Sequence, residues 1–171
     1  MNLETKELKI KTTTETKQYW INREFISETK REKIKDSNIL FIPEIWKEGI
    51  IGFQKEAFPF YEYLEEQNSN KLNIDFCIED ENYQELHLHS DVIWMGTILI
   101  EFFFLPLFIN LLSSYISNHI FHDSDDEINI KLNIQKGNEK NVILEYNGNC
   151  DDFIKIINDE HFCKLIDKTG D

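Results

Sequence analysis

The residues able to do chemistry are few and scattered. His87 and His89 lie two apart with Asp91 close behind, which places two imidazoles on one side of an extended segment as a candidate metal pair. His119 and His122 are three apart next to Asp123, and His161 stands near Cys163. Neither HExxH nor CxxC occurs, so no third ligand comes from a recognisable motif. Ser113, Ser114 and Ser117 do not sit in a GxSxG elbow. Gly49 and Gly52 are followed by neither GK[ST] nor GxGxxG. The reading is therefore no catalytic residue, no bound cofactor and no metal, with His87 and His89 as the candidates a metal would use.

The element that dominates the chain is the apolar stretch 92–121, VIWMGTILIEFFFLPLFINLLSSYISNHIF. Sixteen of its first twenty-one residues are apolar, long enough to cross a bilayer, which takes about 20 residues. Trp94 and Tyr115 are spaced to sit at two interfaces. Against a span stand the charge of Glu101, the missing backbone donor of Pro106, and the lack of any Lys or Arg between Lys71 and Lys131. The alternative is a buried or partner-facing helix pair, about 91–104 and 106–121, broken where Leu105 precedes proline. Trp94, Glu101, Phe103, Pro106, Phe108 and Tyr115 are then the expected interaction residues.

Around this stretch the patterns are short. ELKIKTTT (7–14) alternates like a strand, YWINREFI (19–26) reads as a second strand, and SETKREKIKDSN (27–38) as a charged connection, either a solvated loop or a helix face. NILFIP (38–43) is a buried strand end, and a helix runs from about Gln54 or Pro59 to Gln67. KLNIDFCIED (71–80) alternates again, and Ser90 is a candidate N-cap for the apolar segment. INIKLNIQ (128–135) and NVILEY (141–146) form a β-hairpin, NGN (147–149) turns, and 151–167 is an amphipathic helix. The fold class is α+β: mixed strands with no βαβ repeat, a long central apolar helix pair and a C-terminal hairpin plus helix. Its parts are 1–90, 91–122 and 124–171, expected to form one structural unit.

Charge narrows the partners. The net charge is −14. Residues 1–71 are nearly balanced, whereas 72–171 hold six Lys/Arg against nineteen Asp/Glu. Such a surface repels phosphates, so no nucleic acid is expected; it suits a basic protein partner, cations or simple solubility, while a protein partner or a homo-oligomer is expected through the apolar stretch 92–121. The charged first twenty residues lack a signal-like apolar run, and three cysteines without CxxC spacing suit a reducing, cytoplasmic setting.

The order of parts, an apolar segment ending in SSYISN, then INIKLNIQ, then NVILEYNGNCDDFIKII, resembles the layout of effector-associated constant components of bacterial conflict systems over residues 88–166. That resemblance implies a non-catalytic companion to variable effectors. The family's loop after the apolar segment is usually Arg-rich, where this chain carries HIFHDSDDE. Three functions remain open on the sequence: an interaction subunit assembling through 92–121, a component anchored in a membrane by 92–112, and a metal-dependent enzyme using His87 and His89.

Overall fold

The computed structural model describes residues 7–69, 71–87, 91–120, 123, 125–137 and 139–170. The elements run β1 (Leu8–Thr13), α1 (Lys17–Ile21), α2 (Glu28–Ile34), β2 (Ile39–Ile42), β3 (Glu44–Ile45), β4 (Ile51–Gly52), α3 (Ala57–Glu66) and β5 (Ile74–Phe76). They continue with β6 (Ile93–Glu101), α4 (Leu105–His119), β7 (Glu127–Gln135), β8 (Asn141–Asn149), α5 (Cys150–Ile157) and α6 (Phe162–Lys168). Six strands form one mixed sheet in the order β1-β8-β7-β6-β2-β5, and β3 pairs with β4 apart from it. The class is α+β, with the expected C-terminal hairpin followed by helix.

Period-two alternation explains the right-hand half of the sheet. Ile128, Ile130, Leu132 and Ile134 of β7 are fully buried on one face, beside Val142, Leu144 and Tyr146 of β8. Leu8 and Ile10 of β1 extend that face antiparallel to β8. Ile98 and Ile100 of β6 and Ile39 and Phe41 of β2 complete it. Against this layer pack Phe60 and Leu64 of α3, Phe108 and Leu112 of α4, Phe153 of α5, and Phe162 and Ile166 of α6.

The opposite face is only half covered. Over β6 and β2, Leu99, Leu40 and Ile42 join Trp20, Ile21, Ile26 and Ile34 in a second, smaller core under α1 and α2. Over β1, β8 and β7, among the described residues, the outward side chains are the polar Lys9, Lys11, Glu145, Asn129 and Lys131.

Several expectations are corrected. The first helix of the proposed pair, 91–104, is strand β6 followed by a short 3-10 turn at Phe102–Phe104. A continuous apolar run suits a strand buried on both faces as well as it suits a helix. Here Ile98 and Ile100 face the main core while Leu99 faces α1 and α2. The second helix forms as α4, with Pro106 in its first turn, where no intrahelical donor is needed. Its parallel link from β6 to β7 is a βαβ crossover, as is β2-α3-β5, so that unit is present twice within the mixed sheet. Residues 19–26 begin in a helix, because Thr16 caps the N-terminus of α1 by accepting from Tyr19 N. NGN (147–149) continues β8, pairing with Glu127–Asn129. The last helix is two, interrupted between Ile157 and Phe162. In 71–80 only Ile74–Phe76 pair as a strand, and Ser90 lies outside the described residues.

Candidate functional site

The apolar segment places its six expected interaction residues in different environments. Phe108 and Tyr115, expected at an interaction surface, are buried in the chain's own core. The Phe108 ring lies 5.9 Å from Phe60, and the Tyr115 hydroxyl donates to Glu56 Oε2 at 3.0 Å. Burial, then the Glu56 charge, raises the Tyr115 hydroxyl well above its ordinary pKa. Trp94 is half-buried at the start of β6, and Glu101 ends that strand.

Phe103 and Pro106 remain outside. Phe103 is 83% exposed, whereas the other exposed large apolar residues, Tyr19, Ile45, Ile50 and Phe58, lie between 38% and 45%. The backbone accounts for this. After Glu101 the chain must turn from strand into α4 within three residues, and the 3-10 turn Phe102–Phe104 throws the middle side chain outward. Phe103 packs edge-on to Phe104 at 5.0 Å, and with Pro106 it walls an open cleft of about 580 Å³ whose other side is Gln135, Lys136 and Gly137.

Glu101 borders the same cleft but looks inward across the sheet. Lys17 Nζ lies 3.4 Å from its Oε1, and Asn38 Nδ2 donates to the same oxygen at 3.3 Å. The chain thus supplies its own cation for the carboxylate in the apolar stretch.

A second concavity, of about 430 Å³, lies over the uncovered half of the sheet. Lys11, Thr97, Lys131, Asn133 and Glu145 form its floor, and Trp20 and Arg23 its wall. Lys131 pairs across the hairpin with Glu145 at 3.6 Å, while the Arg23 guanidinium lies over Tyr19 and Trp20. This place was missed in the sequence, although a signal existed. The polar members of the alternating strands, Lys9, Lys11, Asn129, Lys131 and Asn133, read simply as solvent positions until three strands set them side by side.

His87 is exposed and His89 and His122 lie outside the described residues. His119 stacks on Tyr115 with centroids 5.7 Å apart, and His161 approaches Glu160 at 3.2 Å. Among the described residues no group of three or more His, Cys, Asp or Glu could hold a metal ion. Nor is any helix among them long and apolar enough to cross a membrane, because 92–112 is divided between β6 and α4. The three cysteines are free thiols.

Fold and surface together define an α+β protein with a six-stranded mixed sheet, helices packed on both of its faces and an exposed aromatic corner. Comparison with protein-family models, curated proteins and solved structures finds no match for this chain.

Proposed function

We propose that this protein is a non-catalytic interaction subunit, working in the cytoplasm as companion to a basic protein partner that seats on the Phe103–Pro106 corner. The observation that carries this reading is the exposure of Phe103, 83% in the middle of the most apolar segment of the chain. A large aromatic held in water beside a proline and two half-buried phenylalanines gains free energy only when something covers it. A net charge of −14 disfavours a second copy and favours a partner of opposite sign. The likeness in order of parts to effector-associated constant components adds a variable effector of a bacterial conflict system as the partner to look for.

Affinity purification from the native cells, wild type against Phe103→Ser, tests it. A stoichiometric basic protein should accompany the wild type and be lost from the variant, with thermal stability unchanged because the removed ring is exposed. Retention of that partner by Phe103→Ser would overturn the assignment of the corner. A wild-type dimer in sedimentation that Phe103→Ser dissolves would transfer the surface to a second copy.

A further inference from the structure

β1 is an outer strand of the six-stranded sheet, and the phase of its ladder decides which backbone groups it offers to the outside. Asn147 N donates to Glu7 O at 2.9 Å, one step before the opposed pair Leu8 and Tyr146. Along an antiparallel pair, residues that exchange hydrogen bonds alternate with residues that do not. Lys9 and Lys11 therefore bond to β8, while the N–H and C=O of Ile10 and Thr12 point away from it. The next ladder agrees. Cys150 N donates to Asp126 O at 2.9 Å, so the even-numbered residues of β8 bond to β7 and leave the odd-numbered ones to β1. Among the described residues, no backbone hydrogen bond from outside the sheet reaches Ile10 or Thr12.

The side chains of this edge divide by face. Lys9 and Lys11 stand exposed on the outward face. Glu145, directly across from Lys9 on β8, is already paired with Lys131 at 3.6 Å. Neither Lys9 nor Lys11 is in an ion pair among the described residues. On the other face Leu8 is buried and Ile10 half-buried against the main core. A strand laid along this edge would thus meet two free backbone stations, lysines on one side and an aliphatic residue on the other.

We propose that this edge takes an extended segment of a partner protein as a further strand of the sheet, a segment that alternates acidic and apolar residues. The N–H and C=O of Ile10 and Thr12 then gain backbone partners. Acidic side chains stand across from Lys9 and Lys11, and an apolar one across from Ile10. A second copy of the chain does not fit. Antiparallel self-pairing centred on Ile10 sets Lys9 opposite Lys11, and centring it on Lys11 sets that lysine opposite its own copy. Lysines on an edge strand guard against indiscriminate pairing, and here they also fix the sign of the strand that can pair. The net charge of −14 does not cancel this preference. Salt screens exposed charges beyond about 8 Å, whereas opposed cross-strand side chains have Cβ atoms only about 4.5–5.5 Å apart. The edge shares no residue with the Phe103 corner, and either assignment can fail alone.

Fluorescence anisotropy and amide exchange on the full chain test the proposal, with a short peptide alternating glutamate and valine, capped at both ends, as the probe. It should bind saturably and slow exchange at the amides of Ile10 and Thr12. A lysine–valine analogue should bind at least about tenfold more weakly, and so should the glutamate–valine peptide N-methylated along its pairing edge. Lys11→Glu should cost about tenfold in affinity. Thr12→Pro removes only an outward N–H, the position at which an edge strand accepts proline. That variant should melt close to the wild type and bind about tenfold more weakly. The proposal is overturned if the peptide does not saturate, or if it binds while exchange at Ile10 and Thr12 stays unchanged. It is equally overturned if the lysine–valine analogue binds as tightly, or if folded Thr12→Pro binds as the wild type does. A wild-type dimer in sedimentation that Thr12→Pro dissolves would give the edge to a second copy instead. Should Thr12→Pro fail to fold, the N-methylated peptide decides alone.

Discussion

Lys17 and Glu101, eighty-four positions apart, meet at 3.4 Å between α1 and the end of β6. The lysine side chain is 9% exposed and its ammonium also donates to Lys35 O at 3.3 Å, so this cation depends on its protein partners. An acidic residue in the middle of an apolar stretch is thereby matched within the chain, at the point where the strand leaves the sheet.

Removing that carboxylate should therefore destabilise the fold. Glu101→Leu leaves the ammonium of Lys17 and the amide of Asn38 short of an acceptor, at a cost of about 1–3 kcal/mol. Urea unfolding should show a lower midpoint with an unchanged slope. Lys17→Met added to Glu101→Leu should recover part of the loss, because the stranded charge is gone. A midpoint equal to wild type in the single variant would mean that solvent already satisfies Lys17.

Acid should weaken the junction between α2 and the loop after β5. Lys30, 4% exposed, lies 3.2 Å from Asp75 Oδ1 and 3.0 Å from Asp80 Oδ1. Burial alone would lower the lysine's pKa, but the two aspartates outweigh it and the net shift is upward. The Lys30 hydrogen bond holds the Asp80 carboxyl below its usual range, and Ser27 does the same for Glu79. Both carboxylates thus bind protons more readily in the unfolded chain. Their contribution is present above the ordinary carboxylate pKa of about 4 and is lost as pH falls through the depressed folded values. Unfolding free energies measured from neutral pH down to about pH 3 should fall on acidification, and Asp80→Asn should flatten that slope. An identical slope in the variant would remove Asp80 from the account.

The buried face of the hairpin admits no charge. Leu132 is fully buried between β6 and β8, facing the helical layer. Leu132→Asp places an unpaired carboxylate there and should cost at least about 4 kcal/mol. Amide exchange in β7 and β8 should become fast. Protection equal to wild type would show that the alternation had been assigned to the wrong face.

Thiol reactivity should divide the cysteines. Burial pushes the Cys77 thiol up to about 12 and that of Cys150 up to about 11, while Cys163 is half-buried and less perturbed. A native-state titration with a disulfide reagent at neutral pH should find one fast thiol, abolished by Cys163→Ser, and two that react only on unfolding. Rapid modification of Cys77 in the folded protein would contradict its burial.

The hairpin β7–β8, the strands at Leu8 and Ile39, and helix α3 were legible in the sequence, because local patterning specifies them. Alternation with period two puts Ile128, Ile130, Leu132 and Ile134 on one side whatever lies beyond, and Pro106 marks a helix start through its own geometry. The acidic balance and the lack of a metal or nucleophile motif were likewise readable from residue types alone. What tertiary structure alone decided is the state of 93–101. A run of apolar residues carries no period, and it became a strand because β7 and β2 flank it and apolar layers cover both of its faces. The same pairing buries Phe108 and Tyr115, leaves Phe103 in solvent and brings Lys17 to Glu101. Each of these depends on contacts between segments forty or more residues apart, and no local preference encodes them.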